Sequence, residues 1–121
     1  ASALKMCYAA RTKGTTAVLA AVLAAADSLG VADDLVARWA GEDAALPGRI
    51  EGGVRGAAPK AWRWVDEMKE IAATLRDAGT EGGFHDAAAA LYARLADFKD
   101  ASPPPEVADI VSALTKPPRA D

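Results

Sequence analysis

The chain is short of the residues that build reactive or cross-linked sites. It has one cysteine, Cys7, and one histidine, His85, in 121 residues. A lone cysteine excludes a disulfide framework and a cysteine-based zinc site, and it fits a reducing, cytoplasmic setting. The lone histidine has no evident partner for a triad or a metal pair, so no metal is expected. Neither sign of charge dominates: 14 Lys and Arg against 17 Asp and Glu give a formal net charge of −3. That balance argues against nucleic acid or an anionic membrane as a partner. The uncharged stretch from Gly14 to Ala26 is too short to span a bilayer and is flanked by Lys13 and Asp27. It does not read as a secretory signal, because its helical pattern continues into Asp27-Ser28-Leu29. No segment alternates apolar and polar residues with period two, which removes strands. There is no GxGxxG and no GxxxxGK[ST], so the chain has no dinucleotide-binding fold of its own.

What is present is helical. Hydrophobic residues make up 51% of the chain, and alanine is the most frequent of them. Residues 1–121 are expected to form one domain, all-α, a helical bundle built around one long N-terminal helix. That helix runs from Ser2 to Leu29 and stops at Gly30, a length of about 40 Å. Leu4, Tyr8, Arg11, Thr15, Val18, Val22, Ala25 and Leu29 lie on one stripe of it; Lys5, Ala9, Thr12, Thr16, Leu19 and Leu23 lie on another. A helix apolar on all sides is expected to be surrounded, in its second half, by the fold or by an oligomer interface. So long a helix in so small a domain points to a homodimer.

A second, shorter helix begins at the cap Val31-Ala32-Asp33-Asp34 and carries Leu35, Val36, Trp39 and Ala40 inward. From Gly41 to Ala58 glycine and Pro47 interrupt the pattern, leaving a helical turn or two around Ile50 and Val54. A third long segment starts with Pro59 in its first turn and ends near Ala78 before Gly79, with Trp62, Val65, Met68, Ile71, Ala72 and Leu75 inward. Another spans Phe84 to about Lys99, facing the core with Phe84, Ala88, Leu91, Tyr92, Leu95 and Phe98. Pro103-Pro104-Pro105 is a stiff spacer before a last short helix from Glu106 to Leu114, and Lys116–Asp121 reads as a frayed tail.

Lys5 is the strongest candidate for chemistry. The positive end of a helix dipole and any loss of water both disfavour an ammonium, so a lysine there suits general-base work. Tyr8, Thr12 and Lys13 follow within two turns, and with Lys5 they could grip an anionic substrate. The plainer reading is a solvated lysine near a helix start. Arg11 and Lys13 read as the wet end of the helix, Cys7 as a small core thiol, and His85 as a surface or capping residue. Trp62 and Trp64 read as packing residues; Asp66-Glu67 and Lys69-Glu70 read as a solvated face. Arg49, Arg55 and Lys60 are further possible anion contacts.

Several segments together carry a resemblance: Ser2-Ala3-Leu4-Lys5-Met6-Cys7-Tyr8-Ala9, then Ala58-Pro59-Lys60-Ala61-Trp62-Arg63-Trp64 with Glu67-Met68-Lys69-Glu70-Ile71-Ala72, then Gly83-Phe84-His85-Asp86-Ala87-Ala88 and Leu91-Tyr92-Ala93-Arg94-Leu95. In this order and spacing they resemble the helical C-terminal domain of the β-hydroxyacid dehydrogenase superfamily, in its 6-phosphogluconate dehydrogenase-like branch. The resemblance implies an NAD(P)-dependent oxidoreductase acting on a small hydroxy acid or carbonyl substrate. In that superfamily a Rossmann domain precedes the helical one and binds NAD or NADP. A lysine within G-x-G-x-x-x-K-x-x-x-N takes the proton from the substrate hydroxyl as hydride leaves for the nicotinamide. Lys5 matches that lysine. The motif's second glycine falls at Ala1 and its asparagine at Ala9, so the grip on substrate must differ, with Tyr8 or Thr12 as substitutes. The resemblance matches a Lys-Asp pair near the cofactor and substrate in relatives to Lys69-Glu70, which implies a cofactor-binding role for Lys69. The resemblance also implies helical domains paired as dimers. On this reading the chain is the second half of an enzyme and is inactive alone; the alternative is a stand-alone helical interaction or dimerisation module.

Overall fold

Ser2 starts the first helix by accepting the Lys5 backbone N–H on its Oγ at 3.1 Å. In the computed structural model, which describes residues 2–115, that helix is α1, Ala3–Ser28. It ends in a Schellman motif: Gly30, at φ 74°, donates to the Asp27 carbonyl, and Val31 donates to Ala26 at 2.9 Å. The remaining helices are α2 (Ala32–Glu42), α3 (Leu46–Ala57), α4 (Ala61–Asp77), α5 (Gly83–Ala93) and α6 (Val107–Thr115). A short 3-10 turn, Ala96–Phe98, follows α5, and there is no strand among the described residues. The fold is all-α, as the composition implies.

α1 packs against each of the other helices, and α4 and α5 pair closely beside it. Its contribution to the core is small side chains, Ala17, Ala20, Ala24 and Ala26, with Leu23. The small side chains let its neighbours lie close. The large side chains come from those neighbours: Val54, Met68, Ile71, Tyr92, Leu95 and Ile110 are fully buried. Full burial on α1 begins only at Ala17, while Met6, Ala9 and Ala10 are half-buried and pack one face of its first turns against the core.

Several expectations need correction. Within this chain α1 is not surrounded by the fold: Leu4, Tyr8, Val18 and Leu29 on its first stripe are exposed, Val18 by 60%. Residues 46–57 form a full helix, because Ile50, Val54 and Ala57 recur at helical spacing on the buried side. Gly48, Gly52, Gly53 and Gly56 have open space where a side chain would stand. α4 begins at Ala61, leaving Pro59 outside its first turn. The expected helix from Phe84 to Lys99 breaks at Arg94, and Phe84 is 74% exposed. Trp62 lies on the surface beneath the Lys99 ammonium, 4.3 Å from the ring centroid, and Ala40 is exposed as well. The proline spacer is held by Arg55, whose Nε donates to the Pro105 carbonyl at 2.9 Å. The expected frayed tail lies outside the described residues.

Candidate active site at the head of the long helix

Lys5 sits in the first turn of α1 with no acidic residue beside it in that turn. Its side chain is exposed and forms no ion pair among the described residues. Tyr8 is 73% exposed. Thr12 is half-buried, and its hydroxyl donates back to the Tyr8 carbonyl at 3.3 Å. That leaves the Thr12 oxygen free to accept. At spacings of three and four residues the amine, phenol and hydroxyl share one face of α1. The loss of water expected around Lys5 does not occur within this chain. Cys7, expected in the core, is exposed on the same turns, and so is Arg11. Lys69 is exposed on α4, and no hydrogen bond or ion pair connects it to the head of α1.

Lys13 does not join that group. Its ammonium pairs with the Glu67 carboxylate and lies 4.8 Å from the centroid of Trp64. Trp64 in turn meets Tyr92 edge-on, centroids 5.4 Å apart, and the Tyr92 hydroxyl donates to the Lys13 carbonyl. His85 is half-buried, not a surface residue, and its Nε2 lies 2.9 Å from the Ala10 carbonyl oxygen. Gly14 makes room for that ring, since a Cβ there would stand 2.6 Å from His85 Nε2. Burial raises the Tyr92 phenol above its ordinary pKa. Contacts from α4 and α5 thus converge on residues 10–14 of α1. Glu67, read from sequence as solvated, belongs to this cluster. The available signals were spacings: Trp64 with Glu67, and His85 with Tyr92, each pair on one face of its helix.

The other cations are engaged or remote. Arg49 pairs with Asp43 at 2.8 Å, which holds the Asp43 carboxyl below its ordinary pKa; Arg55 serves the proline segment; Lys60 is exposed ahead of α4. A cavity of about 410 Å³ opens between α1, α2, α3 and α6, lined among others by Leu23, Leu35, Val36, Val111, Asp27 and Glu51. It is far from Lys5, because Leu23 lies about 27 Å farther along the same helix. No group of three or more His, Cys, Asp or Glu is placed to hold a metal ion among the described residues. No helix there is long and apolar enough to cross a membrane.

A family model described as a domain of unknown function, DUF1932, matches residues 26–95, more than half of the chain. The matched span runs from the last turn of α1 to Leu95, two residues after α5, so Lys5 precedes it. No curated protein matches the chain, and no solved structure does.

Proposed function

The chain belongs to the DUF1932 family, and from that premise we propose that it is the catalytic and dimerisation domain of an NAD(P)-dependent 3-hydroxyacid dehydrogenase, with Lys5 as the proton-transfer residue. The observation that carries the reading is the placement of Lys5. An exposed amine with no ion pair among the described residues is held at the capped start of the long helix, with Tyr8 and Thr12 on the same face. The chain's own residues do not fit a dinucleotide: Gly48, Gly52, Gly53 and Gly56 lie within α3 and form no phosphate turn. In this reading NAD or NADP is bound mainly by a Rossmann domain upstream of Ala1.

This chain's share of the chemistry is then the proton. The Lys5 amine accepts the substrate's hydroxyl proton, and the hydroxyls of Tyr8 and Thr12 orient the hydroxy acid or carbonyl compound. Water around Lys5 is displaced by the substrate and by the domain that covers it. A second copy of the chain covers the exposed stripe of α1 at Leu4, Val18 and Leu29, leaving the Tyr8 hydroxyl to the substrate. A lone exposed thiol at Cys7 is compatible with a reducing cytoplasm.

The test is Lys5→Ala in the intact natural protein, assayed with NAD and NADP over a panel of 3-hydroxy acids. Loss of a proton-transfer group is expected to lower turnover about 10²–10⁴-fold with the fold retained. Unchanged turnover rejects Lys5 as the base.

A further inference from the structure

We propose that His85 is a positioning residue: it tethers the first turns of α1 to the bundle through the Ala10 carbonyl and so sets where Lys5 stands. Residues 3–9 of α1 contain no fully buried side chain: Met6 and Ala9 rest half-buried against the core, and the first fully buried residue of the helix is Ala17. Apolar contact alone holds this arm of the helix loosely, and the polar contacts that fix its direction lie at residues 10–14, where α4 and α5 grip the helix. The grip has three parts: the His85 bond to Ala10, the Tyr92 hydroxyl on the Lys13 carbonyl, and the Lys13–Glu67 ion pair. The His85 contact is the one nearest the N-terminus, and it lies on backbone rather than on a movable side chain.

The chemistry of the ring singles it out. A carbonyl oxygen only accepts, so Nε2 carries the hydrogen, and in the neutral ring Nδ1 then keeps a lone pair. Nδ1 is buried without a hydrogen-bond partner. An apolar side chain would fill this space without burying an unsatisfied nitrogen, a burial that generally opposes folding. What an imidazole adds over such a side chain is the donor aimed at Ala10. The backbone of α1 makes room for it, since Gly14 lacks the Cβ that would collide with Nε2. Lys5 is five residues before Ala10, about 7.5 Å along the axis and about 140° around it. His85 therefore acts on Lys5 through the helix and does not touch it.

The functional consequence rests on Lys5 being the proton-transfer residue; the tether itself does not. His85 is the chain's only histidine, so its ring nitrogens give an unambiguous 15N NMR signature in the unaltered protein. At mildly alkaline pH the Nε2–H tautomer is expected; the Nδ1–H tautomer would overturn the proposal. Amide exchange then compares the wild type with His85→Leu, which fills the space, and His85→Gln, which keeps a donor. In His85→Leu the amides of residues 6–10 are expected to exchange about three- to tenfold faster, the factor one hydrogen bond supports, while residues 20–24 hold their rates. His85→Gln should restore the arm. Unchanged arm exchange in His85→Leu, equal acceleration at both ends of α1, or failure of Gln to restore the arm each overturns it. Should His85→Leu not fold, the tautomer still decides. A confirmed tether with full turnover in Lys5→Ala would remove the dehydrogenase reading and leave the tether standing.

Discussion

Gly14 is the residue where local propensity and tertiary contact disagree most. In an exposed helix interior, alanine is about 1 kcal/mol better than glycine. At position 14 the added Cβ would stand 2.6 Å from His85 Nε2 and 3.3 Å from its Cδ2, and the ring cannot retreat without losing the Ala10 carbonyl. Gly14→Ala is therefore expected to lower stability by about 1–3 kcal/mol, the usual penalty of overpacking, as read by urea denaturation. In a His85→Ala background the same change should become neutral or stabilising. A Gly14→Ala protein more stable than wild type would mean that the ring does not lie against α1. Nothing in Thr12-Lys13-Gly14-Thr15 marks this glycine as a contact point, because the residue that needs the space is 71 positions away. Lys5, by contrast, was legible from its own neighbourhood, since a capping serine three residues earlier fixes it in the first turn.

At the scale of elements, the sequence placed α1 and α6 to within about a residue and located α2 and α4. The cap expected at Val31-Ala32-Asp33-Asp34 makes no side-chain cap hydrogen bond, however, and α4 starts two residues late. Gly30 and Gly79 both take positive φ at helix ends, as their position after an apolar run implies. α3 was harder to read: its glycines argue against a helix by propensity, and burial of Ile50, Val54 and Ala57 overrides them. The break after Ala93 has no strong local signal either; the Leu91 and Tyr92 carbonyls take the Arg94 and Leu95 N–H groups and tighten the last turn. The stripe of α1 that carries Leu4, Tyr8, Val18 and Leu29 was legible as apolar but not as uncovered, because a sequence pattern does not say how many neighbours a helix has. Pairing through that stripe predicts a sedimenting mass twice that of the 12.4 kDa chain. A charge at the middle of it, Val18→Glu, should shift the protein to monomer without loss of helix content by circular dichroism. A wild-type protein that sediments as a monomer at high concentration would remove the second copy from the proposed function.

At the scale of the whole molecule, the core closes on Tyr92, the largest fully buried side chain, which touches α1 through its hydroxyl and α4 through Trp64. Burial holds the phenol protonated well past its ordinary range, so the folded chain keeps this proton where the unfolded chain gives it up. The sign follows: the contribution is complete below about pH 10, the unfolded value, and is lost as pH rises further. Urea midpoints are expected to fall steeply above that pH in the wild type and more gently in Tyr92→Phe, which has no phenol to ionise. Equal slopes would mean that the phenol is not buried in solution. The same contacts have a consequence for how the chain tolerates changes in length. Between Lys5 and the grip at residues 10–14, α1 acts as a screw thread, and each residue is worth about 100° of turn and 1.5 Å of advance. One residue deleted there would leave every side chain chemically intact and aim the amine at a different quadrant. Seven residues added would nearly restore its bearing but carry it about 10 Å outward. The distance from Lys5 to Gly14 is thus a matter of phase: a substitution there acts only through the side chain it changes, whereas an insertion or deletion re-aims the amine.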